Sequence, residues 1–239
     1  MRNTLAVALR VLQQFRHDPR TVVALVAAPV VVLWLLSQIL GEPGPFGPVF
    51  IGVFTFVFVF ITSGMSLVTE RSGGTMERLL VSPIKPWQLV AGYCLGFGVA
   101  ALLQSALVLW GAVTLLDFPN EGSPLLMIAI TFSMAWASMT LGLLASALAK
   151  NSFQVIQLVI LFVVPQVLLS GVLPLDNTAN WLQTLSEWFP VRHGAAALSD
   201  VMLRGSGFAD VGYDFCILWA FIAAFFALAA LSFARRRTR

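Results

Sequence analysis

The sequence predicts an all-α integral membrane protein with six transmembrane helices, and three observations support this fold class. Of the 239 residues, 59% are hydrophobic and only 10% are charged, whereas soluble domains carry about 25% charged residues. Six apolar stretches are each long enough to cross ~30 Å of hydrocarbon as a helix. The alternation typical of β-barrel strands is absent, so helices are the predicted spanning elements. The predicted spans are 21–41, 47–68, 86–116, 123–149, 152–175 and 213–234.

Residues 3–17 precede the first span and are predicted to form an amphipathic helix along the membrane surface. The sequence Asp18-Pro19 favours a break after it, because proline disfavours helix at the preceding residue. The alternative is a plain extension of the first span. The residues predicted to share the apolar face of this helix are Leu5, Ala8, Leu9, Leu12 and Phe15.

The basic residues predict the orientation of the chain. Twelve of the 14 Lys and Arg residues fall on the side of the two termini, and only Arg192 and Arg204 fall on the other. The positive-inside rule therefore predicts that both termini are cytoplasmic. No organelle-targeting segment is seen, which favours a multi-pass protein of the plasma (inner) membrane. Because the basic excess reflects membrane orientation, nucleic-acid binding is not predicted.

A polar segment, residues 69–85, separates the second and third spans. Gly73 and Gly74 allow a sharp turn, and Thr75–Val81 is predicted to form a short amphipathic helix. Such a segment suits contact with another protein at the membrane surface. The alternative is a solvated loop whose charges only orient the protein.

Residues 176–211 are too polar to span the membrane and too apolar to be an open loop. Trp181 and Trp188 fit the interfacial aromatic belt. The segment is predicted to form two short helices at the outer leaflet, covered by protein or facing water. The C-terminal Arg235–Arg239 run is predicted to contact anionic lipid headgroups, with a regulatory docking tail as the alternative.

Two of these segments resemble a known family. The run from Glu70 to Pro83, ERSGGTMERLLVSP, is similar to the cytoplasmic loop of ABC-2 type permeases. These are the membrane halves of ATP-binding-cassette exporters, including the daunorubicin-resistance type. Leu169–Asp176, LSGVLPLD, resembles the family's segment after the fifth span, as do Trp181-Leu182 and Phe189-Pro190. The six-span plan covers the whole chain. One departure is that Phe189-Pro190 is followed by Val191-Arg-His193, where permeases of this family often have an aromatic residue.

The resemblance implies a permease subunit that exports a hydrophobic or amphipathic substrate, such as a drug, a lipid or a lipid-linked molecule. It implies a partner ABC ATPase in two copies, which binds ATP and Mg, and a second permease copy, identical or similar, against spans one and five. This chain has no GxxxxGK[ST] phosphate loop. The residues assigned by resemblance to ATPase coupling are Glu70, Arg71, Gly74, Thr75, Met76, Glu77, Arg78, Leu79 and Leu80.

Polar residues within the apolar spans are candidates for a substrate path, and the resemblance implies an outer gate beyond the fifth span. The alternative for each path residue is interhelical hydrogen bonding, worth about 0.6 kcal/mol. The path candidates are Thr55, Thr62, Gln154, Gln157, Gln166 and Ser170. The outer-gate candidates are Leu173, Pro174, Trp181, Phe189 and Pro190.

No catalytic residue and no metal site are predicted. Cys94 and Cys216 fall in different spans without metal-ligand spacing. The spans carry no evident ionisable residue, which argues against coupling to an ion gradient through this chain. Two other functions stay open: a membrane-embedded lipid-modifying enzyme, for which His193, Asp200 and Asp210 are the candidate residues, and an assembly subunit without a transport path.

Overall fold

The structure, a computed structural model, describes residues 2–41, 44–72, 85–149, 151–173 and 178–237. Every regular element in these ranges is helical, as predicted. The helices are α1 (Arg2–His17), α2 (Pro19–Leu40), α3 (Gly47–Ser72), α4 (Pro86–Leu115), α5 (Pro124–Leu148), α6 (Ser152–Phe162), α7 (Val164–Val167), α8 (Asn180–Ser186), α9 (Pro190–Arg204) and α10 (Phe208–Arg237).

Six segments of the described chain are long and apolar enough to cross a membrane, which confirms the predicted number. They are α2, α3, α4, α5, the combined stretch Ser152–Val172, and α10. Because six crossings return the chain to its starting side, α1 and the end of α10 lie on one side of the bundle. We call this the terminal side, and the opposite side the far side.

Helices α3 and α5 form the centre of the bundle, and their close crossing depends on glycine. A Cβ atom on Gly142 would lie 2.9 Å from the carbonyl oxygen of Phe60 and closer still to the hydroxyl of Ser63. The Ser138 hydroxyl also donates a hydrogen bond across the crossing to the Phe56 carbonyl. Small residues of this kind let membrane helices approach closely and gain packing energy.

The apolar core is divided along the bundle axis. One cluster fills the far half and includes Ile51, Met134 and Leu198. A second cluster fills the terminal half and includes Val11 and Phe233. Each half therefore packs a short helix, α9 or α1, against the spanning helices.

The fifth span is not one regular helix, although the sequence predicts a continuous span over 152–175. Helix α6 ends at Phe162, α7 follows, and Leu168–Val172 then forms a π-helical segment. Pro165 cannot donate a backbone hydrogen bond, and Gly171 adopts φ 100°, in the region that favours glycine. Together, Pro165 and Gly171 interrupt the regular α-helical hydrogen bonding of this span.

Two spans are longer than their apolar runs predict. Helix α3 continues to Ser72, beyond the predicted end at 68, and α10 begins at Phe208, before the predicted start at 213. In α10 the added first turn is capped, because the Asp210 carboxylate accepts a hydrogen bond from the Gly207 N–H at 2.9 Å. Polar turns can extend a helix beyond the hydrocarbon without a desolvation cost, so hydropathy alone does not mark the helix end.

Candidate functional site

A polar cluster on the terminal side joins three helices at the end of α3. Glu70 is only 7% exposed. Its Oε1 accepts a hydrogen bond from Gln14 Nε2 at 2.7 Å, and its Oε2 accepts one from the Tyr93 hydroxyl. Arg10 Nη2 lies 3.4 Å from the same Oε2. We call these four residues the terminal-side cluster; it ties α1 and α4 to the last turns of α3.

The position of α1 follows from small residues on α4. A Cβ atom on Gly92 would lie 2.5 Å from Val7 Cβ, and one on Gly96 would lie 2.6 Å from Val11 Cβ. Gly92 and Gly96 are one turn apart and form a shallow track. Helix α1 therefore packs directly on α4, which brings Arg10 and Gln14 within reach of Glu70.

Only part of the predicted apolar face of α1 packs against the other helices. Leu5 and Leu9 are 59% and 52% exposed, whereas Val7, Ala8 and Val11 are buried. Helix α1 is therefore apolar on two sides, and its smaller residues fit against the glycines of α4. The larger leucines are left on the outside of the bundle.

A cavity of ≈ 420 Å³ lies beside the terminal-side cluster, between α1, the start of α2 and the end of α3. Gln14, Thr62 and Glu70 line it. Asp18 lines it too and caps α2, accepting a hydrogen bond from the Thr21 N–H at 3.2 Å. The hydrogen bond from the Thr21 hydroxyl lowers the pKa of Asp18. The cavity therefore carries polar groups next to the predicted coupling segment.

Most of the predicted ATPase-coupling residues lie outside the described residues. Glu70 and Arg71 are the exceptions, and Glu70 lies in the terminal-side cluster. Arg71 belongs to the last turn of α3. The other seven lie outside the described residues: Gly74, Thr75, Met76, Glu77, Arg78, Leu79 and Leu80.

The six predicted path residues are spread over the bundle and do not share the terminal-side cavity. Thr62 lines the terminal-side cavity, and its hydroxyl donates to the Phe58 carbonyl at 2.8 Å. Gln157 is exposed on α6, and Gln154 is half-buried. Ser170 is buried in the π-helical segment and donates to the Val167 carbonyl.

Two path residues carry buried atoms with unmet hydrogen-bonding capacity. The Thr55 hydroxyl and Gln166 Oε1 are buried and have no hydrogen-bond partner among the described residues. Gln166 Nε2 donates to the Phe162 carbonyl at 2.8 Å. Buried polar atoms of this kind are uncommon in native proteins, where most have a protein or water partner.

The predicted outer-gate residues lie around the start of α8 and α9. Leu173 and Trp181 are exposed, Phe189 is half-buried, and Pro190 is buried as the first residue of α9. Pro174 lies outside the described residues. Proline is well placed at a helix start, where its missing N–H costs nothing.

A second polar group, the far-side cluster, joins α9 to α10. His193 Nδ1 lies 2.6 Å from Asp214 Oδ1, and His193 Nε2 lies 2.9 Å from the Glu187 carbonyl oxygen. Both partners are oxygen acceptors, so both contacts are hydrogen bonds only when the imidazole is protonated. The hydrogen bond to Asp214 raises the pKa of His193 above its ordinary value of 6.5.

The three residues considered for an enzyme site each contact a different partner. Asp200 pairs with Arg204 at 2.6 Å, Asp210 caps the first turn of α10, and His193 pairs with Asp214. Within the described ranges, no three His, Cys, Asp or Glu residues are placed to hold a metal ion. The geometry gives this alternative no assembled site.

Sequence reasoning missed four residues of the two polar clusters: Arg10, Gln14, Tyr93 and Asp214. Arg10 and Gln14 are four residues apart, so they share a face of α1, and that spacing could have marked them. Tyr93 and Asp214 lie far along the chain from their partners, and no local pattern identifies them.

The chain was compared with known proteins. The family model described as ABC-2 type transporter matches residues 2–203. The chain is 33% identical over 197 residues to the inner membrane transport permease YhhJ of Escherichia coli (strain K12), covering 80% of this chain and 52% of that protein. It is 32% identical over 158 residues to the probable multidrug ABC transporter permease YbhR of the same strain, covering 66% of this chain and 43% of that protein.

The alignment with a third relative covers a larger share of that relative's length than the first two alignments do. The chain is 25% identical over 238 residues to the daunorubicin resistance ABC transporter permease protein DrrB1 of Streptomyces coeruleorubidus, covering 93% of this chain and 82% of that protein. By contrast, the chain spans only about half the length of the first two relatives.

Proposed function

This chain belongs to the ABC-2 type transporter family, and we propose that it is the membrane permease of an ABC transporter, driven by a separate ATPase. The similarity to proteins named as transport permeases supports this function. The ATPase would bind ATP and Mg in two copies. The proposed location is the inner membrane with both termini in the cytoplasm, as the distribution of basic residues favours.

The observation that carries the proposal is the terminal-side cluster. Glu70 lies at the end of α3, at the start of the predicted coupling segment 69–85, and contacts α1 and α4. A force applied to residues 73–84 would reach α3, α1 and α4 together through this carboxylate. Tight crossing of α3 over α5 at Gly142 would carry the movement to the centre of the bundle.

In this proposal the coupling residues are Glu70, Arg71 and the residues from Gly74 to Leu80, which lie outside the described residues. Met76, Leu79 and Leu80 would fill a groove on the ATPase, and Glu77 and Arg78 would form ion pairs at its rim. Aromatic or aliphatic anchors surrounded by charges are the usual arrangement of such interfaces.

A second permease copy is proposed to cover α2 and the fifth span. Large apolar residues on α2 are exposed in the single chain, including Trp34 and Ile39, and so are Phe153 and Ile160 on α6. A path for a hydrophobic or amphipathic substrate would run between the copies. Gln157 is exposed on α6 and could line such a path.

The test is co-purification with the candidate ATPase. Wild type should capture the ATPase and change its ATP turnover, and Glu77→Arg and Met76→Asp/Leu80→Asp should lose both without loss of membrane expression. Glu121→Arg makes the same charge reversal in an exposed far-side loop and should behave as wild type. Coupling that survives in the segment variants would contradict the proposal and favour an assembly subunit.

A further inference from the structure

A cavity of ≈ 700 Å³ opens on the far side between the start of α9 and the first half of α10. Its volume falls within the ~300–1,000 Å³ range of small-molecule sites. Polar and aromatic residues surround its far-side end, and the wall becomes apolar deeper in the bundle at Ile217, Ala220, Phe221 and Ala224. The cavity is therefore amphipathic along its length.

The length of this groove matches one leaflet of a bilayer. Its lining residues on α10 run from Tyr213 to Ala224 along one helical face. At 1.5 Å per residue this distance is ~16 Å, about half of the ~30 Å hydrocarbon core. Alanines at 220 and 224 are exposed and leave a shallow trough open at the side of the bundle.

The rim of the groove carries one unpaired charge of each sign. His193 and Asp214 line it but pair with each other at 2.6 Å. Arg192 and Glu187 also line it, and neither side chain forms an ion pair within the described part of the chain. The guanidinium of Arg192 rests against the π-helical segment, since a Cβ on Gly171 would lie 2.8 Å from Nη1.

We propose that this groove binds a zwitterionic phospholipid of the far-side leaflet. Its phosphate contacts Arg192, its ammonium group contacts Glu187, and one acyl chain follows Ile217, Ala220 and Ala224. The inference does not rest on the transport function or on an ATPase partner.

Charge selects this occupant over other amphiphiles. An anionic headgroup would place its charge beside the Glu187 carboxylate, and a purely cationic one would meet the Arg192 guanidinium. A headgroup with both charges satisfies both side chains. Two aromatic side chains at the rim, Trp188 and Tyr213, are 72% and 74% exposed. Aromatic side chains are enriched at the membrane–water interface. Their ring faces can also contact the ammonium group of the lipid.

The test is native mass spectrometry of the purified, delipidated full chain. The protein is mixed with equal amounts of phosphatidylethanolamine, phosphatidylcholine and phosphatidylglycerol that carry identical acyl chains. Wild type should retain both zwitterionic lipids over phosphatidylglycerol. Arg192→Gln should weaken their retention about tenfold or more, the effect of losing one hydrogen bond to a charged group.

Variants of the apolar trough and of the charged rim test the acyl-chain and headgroup contacts independently. Ala220→Leu/Ala224→Leu fills the trough and should abolish retention, while Ala223→Leu, which lines a different cavity, should not. Glu187→Gln changes an exposed side chain and keeps the fold, and it should shift the preference toward phosphatidylglycerol. Equal retention of all three lipids by wild type, or unchanged preference in Glu187→Gln, would overturn the proposal.

Discussion

The terminal-side and far-side clusters both fix a short helix to a spanning helix, but they use different cations. On the terminal side Arg10 faces the buried carboxylate of Glu70, which also accepts hydrogen bonds from Gln14 and Tyr93. On the far side His193 faces Asp214 and uses its second nitrogen on the Glu187 carbonyl. One cluster is built around an acceptor, and the other around a donor.

The difference determines how each cluster responds to its surroundings. Arginine keeps its charge over the whole physiological range, whereas histidine changes charge near neutral pH. The cation of the terminal-side contact therefore stays charged, and the far-side contact weakens as protons are removed from His193. The comparison predicts a bundle with one fixed end and one end that responds to pH.

The largest effect is expected at the acceptor of the terminal-side cluster. Glu70→Ala leaves the Tyr93 hydroxyl and the Arg10 guanidinium without this partner, so the free energy of unfolding should fall by about 2–4 kcal/mol. Glu70→Gln keeps the volume and one acceptor oxygen and should cost clearly less. Thermal unfolding of the purified protein measures both, and equal losses would show that charge alone, not hydrogen bonding, holds the cluster.

A smaller effect is expected on the far side. Asp214→Asn weakens the hydrogen bond to His193 and should lower the free energy of unfolding by about 1–2 kcal/mol. The matched control is Asp200→Asn, which breaks the exposed pair with Arg204 and should cost at most about 1 kcal/mol. If the two variants unfold alike, the His193 contact contributes no more than a surface ion pair.

The smallest effect is the pH dependence that distinguishes the clusters. Because the pKa of His193 is raised in the folded protein, its stabilisation is complete below about 6.5 and is lost as the pH rises through the raised value. The difference in Tm between wild type and Asp214→Asn should therefore shrink from pH 5.5 to pH 9. A difference that stays constant would mean that His193 keeps one charge state throughout.

The fold was largely predictable because hydrocarbon imposes strong demands on sequence. Long uncharged runs with short polar breaks leave six helices as the natural arrangement, and the structure has six such spans. Helix ends were less predictable, since the Asp210 cap and the last turn of α3 lie in polar sequence that hydropathy assigns to loops.

The candidate site was only partly predictable for a different reason. Glu70 was identified from its polar segment, but its partner Tyr93 sits in an apolar run where a tyrosine gives no signal. The periodicity of α1 identifies an apolar face but does not say which residues pack against a neighbouring helix; the glycines at 92 and 96 determine that contact. Partners separated along the chain depend on packing that one sequence does not encode locally.

The glycine crossing of α3 and α5 also has a consequence for biogenesis. Gly64 and Gly142 meet in the finished bundle, yet they are roughly 80 residues apart, so at about 5–20 residues per second several seconds separate their synthesis. During that interval the sequence of α3 is complete, whereas Ser138, which donates a hydrogen bond to the Phe56 carbonyl in the folded bundle, is not yet synthesised. The crossing of α3 and α5 can therefore form only after α5 has been synthesised, and we expect a bulky residue at position 142 to weaken it because the two helices could not approach as closely.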